Sequence, residues 1–344
     1  MRHRLRATTL AVLLCAVLAG CGGGSTEAET GGPALTIYSG RNEALVKPLL
    51  DKAQQALGAD VKLDVRYGDT AALAGQLAEE GDASPADVFF AQDAGALGTL
   101  ATAGRFEPLP QAVLAAAPEQ WRATDGTWVS TSLRARVIAY DPKQVSQTDL
   151  PTGIDDLVDP KWKGKVGFAP SNASWQAFVT SIRVLRGEDG AKLWLEKFKA
   201  NEPQKYDSNG KIRDAVDEGK VPLGLINHYY WFEKAAKVGA DKMNVQLHYI
   251  KGDDPGALVN AAGVGVLKSS ENKELAAKFA EFLLSADAQQ YFADTTAEYP
   301  VRDGVSSTKH KLVPLSELQP PNLKLADLQS LPKTADLLRQ VGLL

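Results

Sequence analysis

Trp128-Val129-Ser130-Thr131-Ser132-Leu133-Arg134-Ala135-Arg136-Val137-Ile138-Ala139-Tyr140 reads as one long strand carrying two arginines. It is the segment expected to leave a first lobe and enter a second. A chain of 344 residues exceeds the size at which a single core keeps growing, so two lobes are expected on length alone.

Upstream, Leu35 to Tyr38 is a strand ending at Ser39-Gly40, and a helical stretch follows from about Glu43 to Ala56, interrupted by Pro48. Val61 to Tyr67 alternates as a second strand, and Asp69 or Thr70 caps a helix that runs to Glu80. Asp87 to Ala91 is a third strand, and Gly95 to Ala103 starts another helix. This β-α-β-α-β series calls for a mainly parallel sheet with helices on both faces. It sets Ser39 to Asn42 beside Gln92-Asp93 at the C-terminal edge of the strands, where open α/β sheets form ligand crevices.

Downstream, Lys165 to Ala169 is a strand followed by Pro170-Ser171-Asn172-Ala173-Ser174. The next helix aligns Trp175, Phe178, Val179, Ile182 and Leu185 on one face. Ser171, Asn172 or Ser174 therefore sits at a helix start, either as an ordinary cap or beside free N–H groups that attract an anion. Asn209-Gly210 opens another helix with the same two readings. Val221 to Ile226 is an apolar strand that runs into Asn227-His228-Tyr229-Tyr230-Trp231-Phe232. Neighbouring side chains on a strand point to opposite faces, so two phenols serving one site require the chain to leave strand geometry at Asn227-His228. The other reading makes Tyr229, Tyr230 and Trp231 packing aromatics at a strand-to-helix junction. Val245 to Ile250 is a further strand, and 252–267 is expected to cross back to the first lobe.

Net charge of −4 and pI near 5.7 exclude nucleic acid as a partner by electrostatics, since no basic excess exists to neutralise phosphates. No internal repeat and no Walker-type glycine loop is present. Arg2, His3, Arg4 and Arg6 precede an apolar run from Leu10 to Leu18 that is too short to span a bilayer, which marks a signal segment. Its removal takes Cys15 with it, leaving Cys21 alone and the fold without a disulfide or a thiolate site. Gly22 to Pro33 reads as a flexible tether. His228, His248 and His310 then remain, none of them in a metal or triad motif, so an enzyme is not expected.

Leu18-Ala19-Gly20-Cys21 resembles a bacterial lipobox, which implies cleavage before Cys21 and diacylation of its sulfur. Six stretches carry a second resemblance: Leu35-Thr36-Ile37-Tyr38-Ser39-Gly40, 84–89, Arg134-Ala135-Arg136-Val137, 226–231, Asp254-Pro255-Gly256-Ala257-Leu258-Val259 and Ala297-Glu298-Tyr299-Pro300. Together they resemble the ferric-ion-binding proteins of bacterial iron ABC transporters. That resemblance implies an α/β, two-lobed periplasmic-binding-protein fold of class II with two hinge crossovers, each lobe a mainly parallel sheet flanked by helices. Lobe 1 is expected at 35–134 and 260–310, lobe 2 at 135–259 and 311–344, with a signal peptide at 1–20 and a lipid-anchored linker at 21–34.

In that family the adjacent tyrosines, here Tyr229 and Tyr230, coordinate Fe³⁺, a hard cation that favours anionic oxygen. A synergistic anion, phosphate or carbonate, binds beside the metal. The matching anion positions are Asn172, Ala173, Ser174, Asn209 and Asn227, with Arg134 adding charge. The first lobe departs from the family: Asn42 and Gln92 stand where members carry His and Glu, and both are weak or indirect ligands at best. Trp175 stands where some members carry a third tyrosine. Asp93 and Arg41 are further lining residues, and His228 is expected to stabilise the turn. The resemblance implies an ABC permease with its ATPase as partners, membrane lipid through acylated Cys21, a location on the outer face of the cytoplasmic membrane, and a monomer. The alternative keeps the fold and changes the cargo to a ferric chelate, a phosphonate, thiamine or another small organic ligand.

Overall fold

The computed structural model describes residues 32–344; the signal segment, Cys21 and most of the tether lie outside the described residues. The first lobe begins β1 (Ala34–Ser39), α1 (Glu43–Leu57), β2 (Lys62–Tyr67), α2 (Thr70–Glu80), β3 (Val88–Ala91) and α3 (Ala94–Thr102). Then come β4 (Phe106–Glu107), α4 (Gln111–Leu114) and the long β5 (Trp128–Tyr140). The second lobe contains β6 (Val166–Phe168), α5 (Ala173–Ala200), β7 (Gln204–Lys205), α6 (Asn209–Asp217), β8 (Leu223–Asn227), α7 (Tyr229–Val238) and β9 (Gln246–His248). The chain returns through β10 (Val259–Leu267), α8 (Lys273–Leu283), α9 (Ala286–Thr295) and β11 (Tyr299–Pro300), and ends with α10 (Leu315–Leu318) and α11 (Leu331–Val341).

All 13 residues of β5 are buried, and the strand belongs to both lobes. Its first half lies antiparallel to β10, with Ala135 opposite Val259, and its second half lies antiparallel to β8, with Arg136 opposite Asn227. The changeover falls between these two residues, so the arginines read from the sequence sit on either side of the hinge. The strand order is β2-β1-β3-β10-β5-β8-β6-β7. Both halves are mixed sheets rather than predominantly parallel ones. The βαβ portions pair parallel (β1 with β2 and β3, β6 with β7 and β8), and the strands that cross between lobes pair antiparallel.

Helix boundaries follow the local chemistry. Asp69 caps α2, accepting from the N–H groups of Ala71 and Ala72. Asn172 caps α5, which runs 28 residues with a kink at Gly187, where φ is 74°. Gly40 allows β1 to end against α2, since a Cβ there would lie 2.1 Å from the Thr70 hydroxyl. The second lobe's core is aromatic. Trp175 is fully buried, 4.9 Å from Phe168 and 5.4 Å from Phe178 between ring centroids, and Trp194 stacks on Phe198 at 5.0 Å. Burying each such ring contributes on the order of 2–3 kcal/mol.

The tail, expected wholly in the second lobe, touches both. Residues 325–329 pack on α3 of the first lobe, where the Thr99 hydroxyl donates to the Gln329 carbonyl at 2.6 Å, while α11 packs on α5 of the second. Among the described residues no helix is long and apolar enough to cross a membrane.

Candidate metal centre

β8 ends at Asn227, and His228 already has helical angles (φ −56°, ψ −41°), so the chain leaves strand geometry where two phenols on one site require it. α7 then starts with Tyr229 and Tyr230, whose rings stack at 4.3 Å and 27°. His228 builds this turn. Its Nδ1 accepts from the Ala135 N–H at 3.2 Å, its Nε2–H donates to the Ala297 carbonyl at 2.8 Å, and its own N–H donates to the Ala135 carbonyl. Both ring nitrogens are committed to backbone, so the imidazole is not available to a metal. Burial lowers its pKa to about 4, although the bond to the Ala297 carbonyl works against that shift.

The two tyrosines face a cleft of about 530 Å³ between the lobes. The first lobe contributes Arg41, Asn42, Asp69, Thr70 and Gln92; the second contributes Ser171, Asn172, Ala173, Asp207 and Glu233. Two sequence segments separated by about half the chain thus meet across one space, with Asn42 and Gln92 opposite Tyr229 and Tyr230. Among the described residues no three His, Cys, Asp or Glu side chains gather to hold a metal. Any metal site here depends on the phenols.

The expected anion positions divide. Asn172 and Ala173 line the cleft, while Ser174, Asn209 and Asn227 are buried behind it. Asn172 Oδ1 accepts from the Ser174 N–H at 3.0 Å and the Ser174 hydroxyl at 2.6 Å, and Asn209 Nδ2 donates to Ser174 Oγ at 2.9 Å. Ala173, in the first turn of α5, has no intrahelical acceptor for its N–H. Ser171, one residue before the cap, faces the cleft in place of Ser174. Trp175 does not reach the cleft; it belongs to the aromatic core.

Behind the phenols lies a layer of buried charge that the sequence reading only touched. Arg134, Arg136 and Arg41 are 2–4% exposed, and Glu298 is 1% exposed. Arg41 Nη2 donates to both Glu298 oxygens at 3.0 and 2.8 Å, Arg134 Nε donates to Glu298 at 3.4 Å, and Arg134 Nη1 donates to the Gln92 carbonyl. Burial opposes ionisation of Glu298, but Arg41 and Arg134 outweigh it and hold the carboxyl at about 2. Arg136 donates to Ser174 Oγ at 3.1 Å, to Asn227 Oδ1 at 3.5 Å and to the Leu225 carbonyl at 2.9 Å. Burial lowers its pKa to about 9, and the nearby Tyr230 and Tyr229 phenols act in the opposite sense. Two guanidinium groups therefore share the Glu298 carboxylate while Arg136 has only neutral acceptors, and among the described residues Arg41 Nη1, Arg134 Nη2 and Arg136 Nε find no partner. The layer is electropositive and suits phenolate and anion. Burial, then the Tyr230 phenol, raises the Tyr229 pKa well above 10, while Arg134 favours its ionisation. Glu298 and Arg136 were absent from the sequence-based site; their only signals were the Ala297-Glu298-Tyr299-Pro300 stretch and the Arg134-Ala135-Arg136 pair.

The model of the family described as bacterial extracellular solute-binding protein matches residues 83–325. A relative from Serratia marcescens, named Fe(3+)-binding periplasmic protein, is 36% identical over 99% of this chain and 100% of its own. The major ferric iron-binding protein of Neisseria meningitidis serogroup B is 36% identical over 90% of this chain and 93% of its own. The crystal structure of iron-bound HitA from Pseudomonas aeruginosa superposes with a TM-score of 0.85 at 36% identity, covering 90% of this chain and 99% of that one. The chain belongs to the bacterial extracellular solute-binding proteins.

Proposed function

We propose that this protein binds Fe³⁺ between its lobes and delivers it to an ABC permease, held at the outer face of the cytoplasmic membrane by lipid on Cys21. The observation that carries the reading is the pair of stacked phenols, Tyr229 and Tyr230, on one wall of the cleft in front of a buried electropositive layer. The names of the relatives, which specify ferric iron, support it. Fe³⁺ prefers anionic oxygen, and a bound cation reverses the cost of ionising a phenol. Arg134 and Arg136 act before the metal arrives, favouring the phenolate form and an accompanying oxyanion. That anion, phosphate or carbonate, meets the first turn of α5 at Asn172 and Ala173, with Asn209 fixing the cap from α6. No turnover is involved: cargo stabilises the closed arrangement of the lobes, and the permease recognises that state.

The test is a visible absorption titration of the chain from residue 32 with a weak ferric chelate, with and without phosphate or carbonate. A saturable phenolate-to-iron band near one equivalent is expected. Tyr229→Phe or Tyr230→Phe should abolish or sharply reduce it and weaken iron binding at least ~100-fold, equivalent to about 2.7 kcal/mol. Each phenol ionised on binding releases a proton, so affinity should rise about tenfold per pH unit for each proton displaced. A protein that stays colourless in every anion would rule the reading out.

A further inference from the structure

Iron held by Tyr229 and Tyr230 alone would rest on one helix of one lobe. A cargo draws two lobes together only if it binds both walls, because it favours the closed arrangement by no more than the extra contacts it makes there. The first lobe therefore has to supply a donor, and Asn42 and Gln92, the positions opposite the phenols, offer neutral amides. The charge count points the same way. Two phenolates cancel two of the three charges of Fe³⁺, and one carboxylate, a hard anionic oxygen donor, cancels the third.

Most carboxylates near the first-lobe wall are spoken for. Glu298 is buried and accepts from Arg41, Arg134 and Ser132. Asp93 is buried as the cap of α3. Glu43, in the first turn of α1, is exposed but does not line the cleft. Asp69 is exposed and does line it. It stands beside Thr70, whose hydroxyl donates to the Gly40 carbonyl and accepts from the Gln92 N–H. The start of α2 is thereby tied to the two strand ends that carry positions 42 and 92. Both capping bonds, from the Ala71 and Ala72 N–H groups at 2.9 and 3.0 Å, go to Asp69 Oδ1; among the described residues nothing donates to Oδ2. The cap holds the carboxylate in place and leaves one oxygen for a cation. Asp207 and Glu233 also line the cleft, but they share a lobe with the phenols, so binding through them would not bridge the walls.

We propose that Asp69 is the first-lobe ligand to Fe³⁺, its Oδ2 binding the ion opposite Tyr229 and Tyr230 and drawing the lobes together. This rests on the reading of the two tyrosines as iron ligands.

The test uses the chain from residue 32 and its Asp69→Asn and Asp69→Ser variants, both of which keep a capping oxygen and so spare α2. Each is titrated with ferric nitrilotriacetate in phosphate while the phenolate band is recorded, and small-angle X-ray scattering gives its radius of gyration with and without iron. The parent should show the band and become more compact. The two variants should keep the band, bind iron at least ~10-fold more weakly and lose the compaction. Glu43→Gln, which removes a charge of the same sign from the neighbouring helix start, should behave as the parent. Asp69 variants that match the parent in affinity or in compaction, a parent that binds iron without compacting, or Glu43→Gln reproducing the loss overturns the assignment of Asp69 and leaves the iron reading standing. A parent without the band in phosphate or carbonate overturns the iron reading itself, and the role of Asp69 with it.

Discussion

At the residue scale, two buried groups near the hinge titrate in opposite directions. His228 is held neutral by burial, with its pKa lowered to about 4, so the stability it contributes is present above about pH 6.5 and is lost as pH falls towards 4. Burial raises Asp93 to about 6 despite its cap bond to Ala96, so its contribution is fully present below about pH 3.8 and is lost as pH rises through 6. Each is worth roughly 3 kcal/mol, and between pH 6.5 and 4 they largely cancel. Asp93→Asn keeps a capping oxygen and removes one side of this balance. Relative to the parent, the variant should be more stable at pH 7 than at pH 4 by about 3 kcal/mol, read from urea denaturation at each pH. A difference that does not change with pH would show that the fold does not raise the Asp93 pKa. The turn at Asn227-His228 was legible as what two phenols on one site require, while the role of the tyrosine pair came from the resemblance carried by 226–231. The arginine layer was not legible: Arg41 meets Glu298 across 257 positions, and no local pattern signals a buried ion pair.

At the element scale, the second lobe's anion wall depends on how closely α6 lies on β8. A Cβ at Gly224 would approach Ile212 to 2.2 Å, and Ile212 follows Asn209 by one helical turn. Gly224→Ala should push α6 outward, cost about 1–3 kcal/mol by overpacking, and loosen the Asn209–Ser174 contact. The measurements are thermal denaturation and the phosphate dependence of iron binding; a loss of stability with unchanged phosphate dependence would mean that α6 does not set the anion site. Element existence was readable from period and caps, as α2 and α3 illustrate. Phase was harder: the helix start at 171–174 was clear, but which serine faces the cleft depends on a single residue of rotation, and the structure gives Ser171. Asn172 is both an ordinary cap and a cleft residue, so its role as a cap does not exclude the anion reading that the sequence set against it.

At the scale of the whole molecule, three passes of chain join the lobes: β5, β10 and the tail. Arg183 of α5 anchors the tail, its Nη1 donating to the Ser330 carbonyl and hydroxyl at 3.0 Å each and to Thr334 at 2.8 Å, while Thr99 of α3 holds Gln329. Arg183→Met should destabilise the protein by about 2–4 kcal/mol and speed iron release to a competing chelator. Unchanged release with lowered stability would mean the tail holds α11 without restraining the lobes. The two-lobe plan was legible from the length of the chain, and its crossing from the run at 128–140; the tail's double attachment was not, because its prolines and short helices carry no partner signal. The position of β10 has one more consequence. It lies between β3 and β5 in the sheet, yet follows them by more than a hundred residues. During synthesis or refolding the first lobe therefore waits with its middle strand missing, its neighbours presenting unpaired edges until the second lobe has been made. The second lobe's sheet, whose entry and exit strands lie side by side at Ala135 and Val259, is complete before β10 is made, and only α11 is added to that lobe later. The two sheets are thus completed against the order of the chain, and the edges that stay open longest belong to the lobe that comes first in sequence.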